Sequence, residues 1–350
     1  MESQDCTDLA VVVAKPRTES VIDALDTEGV YDADRSVQPW DAESVAVPVT
    51  APPETVEVRE VVRQVGERRL RNLADHLRQR GWSEAEIDAA PSSWAAIGSV
   101  VLVELGETPR PAAVGEALLA LHGEADTVLA RNGIDGVHRE PDVTVIAGEG
   151  DTETVHTEHG TEYALDLAEV MFSPGNKAER ARMGERVQAG ERVLDMFAGI
   201  GYFTLPMARA GAEVTAVEHN PTAFRYLVEN TMRNGVDGLV HPYRADCRDV
   251  VEAGIDGGPV DRVVMGHYEA SEPDGDGGYA YLDHALDALA PGGVVHVHET
   301  TPEALVFERP VERLTAAAVA AGRSVEVLDT RRVKSHSEGV AHVVVDARIE

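Results

Sequence analysis

The chain has 350 residues, 62 Asp and Glu against 31 Lys and Arg, and a formal net charge of −31. With 43% apolar residues it is too hydrophobic for a disordered acidic chain, and its length suits about two or three domains. Two cysteines (Cys6 and Cys247) cannot build a disulfide scaffold, no apolar stretch reaches the ~18 residues of a membrane span, and residues 1–10 lack a basic-then-apolar leader, so a soluble cytoplasmic protein is expected.

Residues 1–60 read as a small accessory unit, with an apolar run at Leu9–Val13, a helical stretch at Ser20–Leu25 and a strand at Ser44–Val49. Ala51–Pro52–Pro53 follows as a linker signal. Residues 61–172 read as an α/β middle domain. It opens on helical spacing over Arg63–Arg80, where six arginines face only Glu67 and Asp75. That is the most basic segment of an acidic chain, either a solvated helix face or an RNA contact. A strand over Ile97–Leu105 and a helix over Val114–Leu121 come next, then period-2 alternation at Asp142–Ala147 and Thr152–Leu167.

From residue 173 to 350 the alternation becomes regular. Strand runs fall at Arg192–Phe197, Glu213–Glu218, Leu239–Ala245, Arg262–Met265, Val294–His298, Ser324–Leu328 and Val340–Ala347. Helical stretches at Tyr202–Ala210, Ala223–Asn234, Tyr281–Leu289 and Pro302–Ala321 separate most of them. The pattern predicts an α/β fold with a doubly wound, mostly parallel seven-stranded Rossmann-like sheet, its ligand at the carboxyl ends of the strands. The last two runs, joined by the polar loop Lys334–Gly339 without a helix, should form an antiparallel hairpin.

Three strand ends carry the chemistry. Leu194-Asp195-Met196-Phe197-Ala198-Gly199-Ile200-Gly201 runs from strand to helix, and Gly199 and Gly201 admit a close ligand facing helix amides. Thr204 stands where a dinucleotide fingerprint has its third glycine, which disfavours a pyrophosphate. Glu218, 17 residues after Gly201, can accept both ribose hydroxyls, and Asp246 with the Cys247 amide can read an adenine. A nucleoside site without phosphates results, and S-adenosylmethionine fits it. His156 with His159, and His296 with His298, have metal-like spacing without a third ligand, so no metal is expected.

Met171-Phe172-Ser173-Pro174-Gly175-Asn176, Glu179-Arg180, Asp195–Gly201, Glu218-His219-Asn220-Pro221 and Val333-Lys334-Ser335 resemble the archaeal enzymes that modify the purine 3′ of the tRNA anticodon. Two branches share this frame: the tRNA guanine-N1 methyltransferase, and the wybutosine-synthesis aminocarboxypropyltransferase. The methyltransferase branch carries Asn-x-Pro after the fourth strand and an Asn-Ser-Arg-like segment before its Glu-Arg. This chain has Met265-Gly266-His267-Tyr268-Glu269 and Ser173-Pro174-Gly175-Asn176 there, which resemble the aminocarboxypropyl branch.

That resemblance implies transfer of the 3-amino-3-carboxypropyl group of S-adenosylmethionine to 4-demethylwyosine at position 37 of tRNA(Phe), with release of methylthioadenosine. It implies tRNA as partner through the anticodon loop, with no obligate protein partner and no membrane. It also implies that Ser173 and Arg180 line the donor pocket, which suggests they anchor the amino-acid arm by hydrogen bond and carboxylate pairing. His267 is the candidate general base and Tyr268 the candidate platform for a splayed base, each with the plain alternative of packing a loop. The guanine-N1 methyltransferase and a non-catalytic RNA- or nucleoside-binding module are the rival readings.

Lysine occurs only at positions 15, 177 and 334, and acid in such excess suits a halophilic archaeon, where molar salt screens self-repulsion. Phosphate contacts weaken in that salt, so local basic groups matter: residues 63–80, then Lys177, Arg180, Arg182 and Arg186, then Arg331, Arg332 and Lys334.

Overall fold

The computed structural model of the chain describes residues 9–63, 68–136, 140–275 and 277–350; Cys6 and Glu67 lie outside the described residues. By internal contacts the chain divides into two compact units, Met1–Ile87 and Asp88–Glu350.

In the first unit, β1 (Leu9–Ala14), β2 (Gln38–Pro39), β3 (Ser44–Val49) and β4 (Glu60–Arg63) form an antiparallel sheet in the order β2-β3-β1-β4. Helix α1 (Thr18–Glu28) lays Val21 and Leu25, four residues apart and so on one face, over Val11, Val13, Val47 and Val49. The Ala51–Pro52–Pro53 segment joins β3 to β4 inside this sheet, because β4 pairs with β1.

The helix expected over Arg63–Arg80 is shorter. Residues 60–63 are strand, and Arg68 bridges Arg35. Among the described residues of this stretch only α2 (Leu73–Gln79) is helical, started by the Asn72 side chain accepting the Asp75 amide at 2.9 Å. Part of the basic charge is neutralised locally. Arg78 pairs with Glu84, on α3 (Glu84–Asp88), at 2.7 Å and with Asp75 at 3.2 Å, while Arg71 donates to the Ala33 carbonyl and faces Asp34.

The second unit opens on β5 (Trp94–Ile97), β6 (Val100–Val103), α4 (Pro111–Leu121), β7 (Thr127–Asp135) and β8 (Glu140–Gly148). The strand expected over Ile97–Leu105 is a hairpin instead, turning at Gly98–Ser99. Helix α4 returns the chain so that β6 and β7 run parallel. Strands β9 (Glu153–Glu158) and β10 (Thr161–Asp166) form a separate hairpin, turned at His159 and Gly160, both with positive φ.

The large sheet alternates with helices: α5 (Lys177–Arg186), β11 (Arg192–Asp195), α6 (Thr204–Arg209), β12 (Glu213–Val217), α7 (Pro221–Arg233), β13 (Val240–Tyr243), α8 (Cys247–Ala253), β14 (Val260–Met265) and α9 (Leu282–Ala288). It closes with β15 (Leu289–Pro302), α10 (Glu308–Ala320), β16 (Val325–Ser337) and β17 (Val340–Ile349). Strand order is β13-β12-β11-β14-β15-β17-β16, parallel through β15 and antiparallel at the last hairpin. The central strands carry apolar residues on both faces because both are covered. Val193 and Val264 join a cluster with Met183, Leu205 and Leu227, while their neighbours Leu194 and Val263 join one with Leu286 and Leu314. Residues 334–337, expected as loop, extend β16 through two register shifts, at Arg332/Lys334 and Ser335/Ser337.

A buried charged chain ties α5 to the last hairpin. Arg331 grips Glu179 at 2.7 Å and Asp346 at 2.7 Å, Asp346 accepts from His296 at 2.7 Å, and Arg262 reaches both His296 and Glu191. Arg331 is therefore spent on structure rather than presented to RNA. Arg332 pairs with Glu303 and Arg182 with Asp329, while Lys177 and Arg186 stand exposed at the two ends of α5.

Candidate active site

The order of the sheet reverses between β11 and β14, and a cavity of about 250 Å³ opens there at the carboxyl ends of the strands. Ser173, Arg180, Gly199 and Glu218 line it, as do Asp246, Cys247, His267 and Tyr268, so all eight candidate residues share one pocket.

The β11 end is shaped by Asp195. Fully buried, its carboxylate accepts from Thr204 Oγ1 at 2.8 Å, and burial pushes its pKa up to about 6. Thr204, at the place of the missing third glycine, thus serves to hold Asp195. Gly199 sits at φ 57°, and a Cβ there would lie 2.4 Å from the Tyr202 ring. The turn therefore requires glycine, and it delivers the Gly199 amide to Glu218 Oε2 at 2.7 Å. Glu218 Oε1 accepts the Asn220 amide, also at 2.7 Å. The carboxylate is fixed by backbone amides, those of Gly199, Asn220 and His219, and keeps further lone pairs for a ligand's hydroxyls. Burial raises the Glu218 pKa.

Asp246 caps α8 by accepting the Arg248 amide at 2.9 Å, and the Arg248 guanidinium closes on it at 2.6 and 3.0 Å. These bonds hold the Asp246 pKa low, and Arg248 in turn lies 4.8 Å over the Tyr281 ring. Cys247 contributes its backbone position: burial pushes its thiol up to about 12, which leaves no thiolate for chemistry.

At the opposite side, Arg180 is 3% exposed and donates through Nε and Nη2 to Glu158 at 2.7 and 2.8 Å, and through Nη1 to the Ser173 carbonyl at 3.0 Å. Its partner is thus Glu158 on β9, not a surface neighbour one helical turn away. Burial would raise Glu158, but bonds from His156 and Arg180 hold its pKa at about 2. The Ser173 hydroxyl accepts from Lys334 Nζ at 2.7 Å, a contact that Gly175 permits by letting the lysine stem cross it. Burial lowers the Lys334 pKa, with Arg131 and Arg180 adding to the effect. Lys334 belongs to this site rather than to a free basic triplet. With its partner 161 positions away, no local signal could have placed it.

The residues after β14 make the remaining wall. His267 lies against Phe197 at 5.2 Å, and Glu269 approaches its Nε2 at 3.9 Å. Tyr268 packs on His342 at 4.6 Å and His336 at 5.5 Å. Behind it His298 and His342 share a 3.1 Å hydrogen bond, fully buried, so both are held neutral with depressed pKa values. His296 and His298 are each taken by a side-chain partner. Among the described residues no group of three His, Cys, Asp or Glu is placed to hold a metal, and no helix is long and apolar enough to cross a membrane.

An elongated ligand with a nucleoside end and an amino-acid end suits this pocket: carboxylate acceptors at β12 and α8, donors at Ser173 and Arg180. The profile of the TRM5/TYW2 methyltransferase domain matches residues 154–328, and that of the TYW2 N-terminal domain matches residues 73–152. The tRNA(Phe) (4-demethylwyosine(37)-C(7)) aminocarboxypropyltransferase of Methanocaldococcus jannaschii is 41% identical over 62% of this chain and 83% of its own. The crystal structure of Pyrococcus horikoshii TYW2 in complex with MeSAdo superposes with a TM-score of 0.65 at 33% identity, over 79% of this chain and 97% of that one. Trm5b from Pyrococcus abyssi superposes at 0.74 with 30% identity, over 98% and 99%.

Proposed function

The chain belongs to the TRM5/TYW2 methyltransferase family, and within it we propose an S-adenosylmethionine-dependent tRNA aminocarboxypropyltransferase. Its acceptor is 4-demethylwyosine at position 37 of tRNA(Phe), and methylthioadenosine leaves. The observation that carries this reading is the convergence of Ser173, Arg180, Glu218 and Asp246 on one pocket, which can hold the donor by both ends. The match of residues 73–152 to the TYW2 N-terminal domain supports this branch.

The donor's sulfonium activates three carbons toward a nucleophile. A thousandfold preference for the side-chain methylene over the methyl needs only ~4 kcal/mol between competing transition states, and placement can supply that. Glu218 accepts the ribose hydroxyls, Asp246 and the Cys247 amide read the adenine edge, and Tyr281 lies beside it. Arg180 and Ser173 anchor the amino-acid arm, with Lys334 holding the Ser173 hydroxyl. The acceptor ring carbon attacks, the carbon–sulfur bond breaks with its pair on sulfur, and the ring carbon gives up a proton, which His267 accepts. Tyr268 stacks on the extruded base.

We read residues 1–60 as an accessory unit, 61–172 as the tRNA-contacting part and 173–350 as the catalytic part, with the anticodon loop as the feature engaged. Exposed Lys177 opens α5 directly after Asn176, which lines the cavity. The acidic surface fits a cytoplasm rich in salt, where base stacking and shape carry more of the affinity than phosphate contacts.

One observation favours the guanine-N1 methyltransferase, the superposition of nearly the whole chain on Trm5b. Donor labelled separately in methyl and carboxyl decides between them. Carboxyl label in tRNA, with methylthioadenosine formed, is expected. Methyl label in tRNA rejects the assignment, and tight donor binding without turnover identifies a binding module.

A further inference from the structure

The arginine at the donor's amino-acid end stands on a chain of side chains to which the reaction described above gives no role. Arg180 spends three of its five N–H groups: two on Glu158 and one on the Ser173 carbonyl. One hydrogen is left on each terminal nitrogen. Because the grip on Glu158 is bidentate, it fixes the plane of the guanidinium and hence the direction of those two hydrogens. Phe172 packs beneath, its ring 4.8 Å from the guanidinium carbon.

Glu158 is fixed in its turn. It is 3% exposed, and His156 Nε2 lies 3.2 Å from its Oε1. The other ring nitrogen, His156 Nδ1, accepts the Gly98 backbone N–H at 3.2 Å. That bond assigns the tautomer: the ring proton sits on Nε2 and is donated to the carboxylate. The His156 ring also stands edge-on to Phe172 at 5.3 Å, so one phenyl ring supports both ends of the relay.

The turn supplying this amide is built to come close. Gly98 has φ 55°, and a Cβ there would lie 2.1 Å from Thr154 Oγ1 and 2.6 Å from the Val155 carbonyl oxygen. The adjoining Ser99 amide donates to Thr154 Oγ1 at 2.9 Å. The β5–β6 hairpin is thus pinned to β9 by two successive backbone donors, one of which orients His156.

We propose that Glu158 and His156 are positioning residues for donor specificity, holding Arg180 in the pose that receives the amino-acid arm, with the Gly98 turn as their foundation. This rests on the reading that Arg180 contacts that arm. A positioning role acts only on ligands that carry the arm, whereas loss of fold acts on every ligand. The discriminating quantity is therefore the ratio of dissociation constants for S-adenosylmethionine and methylthioadenosine, which share the nucleoside and differ in the arm.

Calorimetric titration of the full chain in high salt provides the test. Glu158→Gln should weaken S-adenosylmethionine about tenfold and leave methylthioadenosine within twofold. His156→Ala keeps the Glu158–Arg180 pair, and it should move the ratio about threefold in the same direction; it carries the test if Glu158→Gln does not fold. Equal loss for both ligands, or an unchanged ratio, overturns the proposal. Arg180→Lys separates the two levels. If it moves the ratio while Glu158→Gln and His156→Ala do not, the positioning role fails alone. If Arg180→Lys leaves the ratio unchanged, the arm-anchor reading fails with it.

Discussion

Glu218→Gln tests the nucleoside half of the pocket with little change of shape. In the wild type Oε2 accepts the Gly199 amide and Oε1 the Asn220 amide, each at 2.7 Å. A carboxamide keeps one oxygen, so its NH2 must face either a backbone N–H or a ribose hydroxyl that needs an acceptor. One charged acceptor is lost to the ligand, and hydrogen bonds to charged groups are worth about 1.5–3 kcal/mol each. We expect a loss of about 2–3 kcal/mol, or about 30- to 150-fold in dissociation constant. Because the ribose is common to both ligands, S-adenosylmethionine and methylthioadenosine should weaken by the same factor, unlike the selective effect expected at Glu158. Removing a carboxylate whose burial raises its pKa offsets part of the lost backbone bond, so the melting temperature should change little. Titration calorimetry with both ligands, alongside thermal melting, makes the measurement. A change below about threefold in a folded variant, or a loss confined to S-adenosylmethionine, refutes the assignment of Glu218 to the ribose.

Gly199→Ala should destabilise the protein by about 2–3 kcal/mol and abolish donor binding, since an L-residue at φ 57° is strained and its Cβ meets the Tyr202 ring at 2.4 Å; normal donor affinity would contradict the close-approach role. Stability should also fall as pH drops below about 6.5. His298 and His342 are depressed in the fold, the latter to about 3, so the unfolded chain binds more protons across that window, each imidazole contributing up to ~1.4 kcal/mol per pH unit. Glu158, held at about 2, adds to the loss below 4.5, whereas Asp195, raised to about 6, opposes it between 3.8 and 6. Denaturant titrations from pH 7.5 to 4.5 at constant high salt should show a shallower slope for His342→Phe, and an unchanged slope would disprove the buried-imidazole account.

What could be read from the chain alone is what short-range chemistry encodes. The central parallel strands announce themselves through apolar runs such as Val193-Leu194 and Val263-Val264, whose successive side chains face the two covered sides of the sheet. Glu218 and Asp246 could be singled out locally because each follows a strand and accepts a backbone amide two residues on, from Asn220 and Arg248. Where local signals compete the reading slipped. Arginine spacing over 63–80 suggests one helix, but α2 takes its start from the Asn72 cap, and the Gly98–Ser99 turn splits an apolar run that reads as one strand. The tertiary structure alone decided which charged groups pair around Ser173 and Arg180. Arg180 finds Glu158 across 22 positions, Lys334 finds Ser173 across 161 and Arg331 finds Glu179 across 152. A charged side chain cut off from water takes whichever counter-charge the fold brings to it, and separation along the chain carries no trace of that choice.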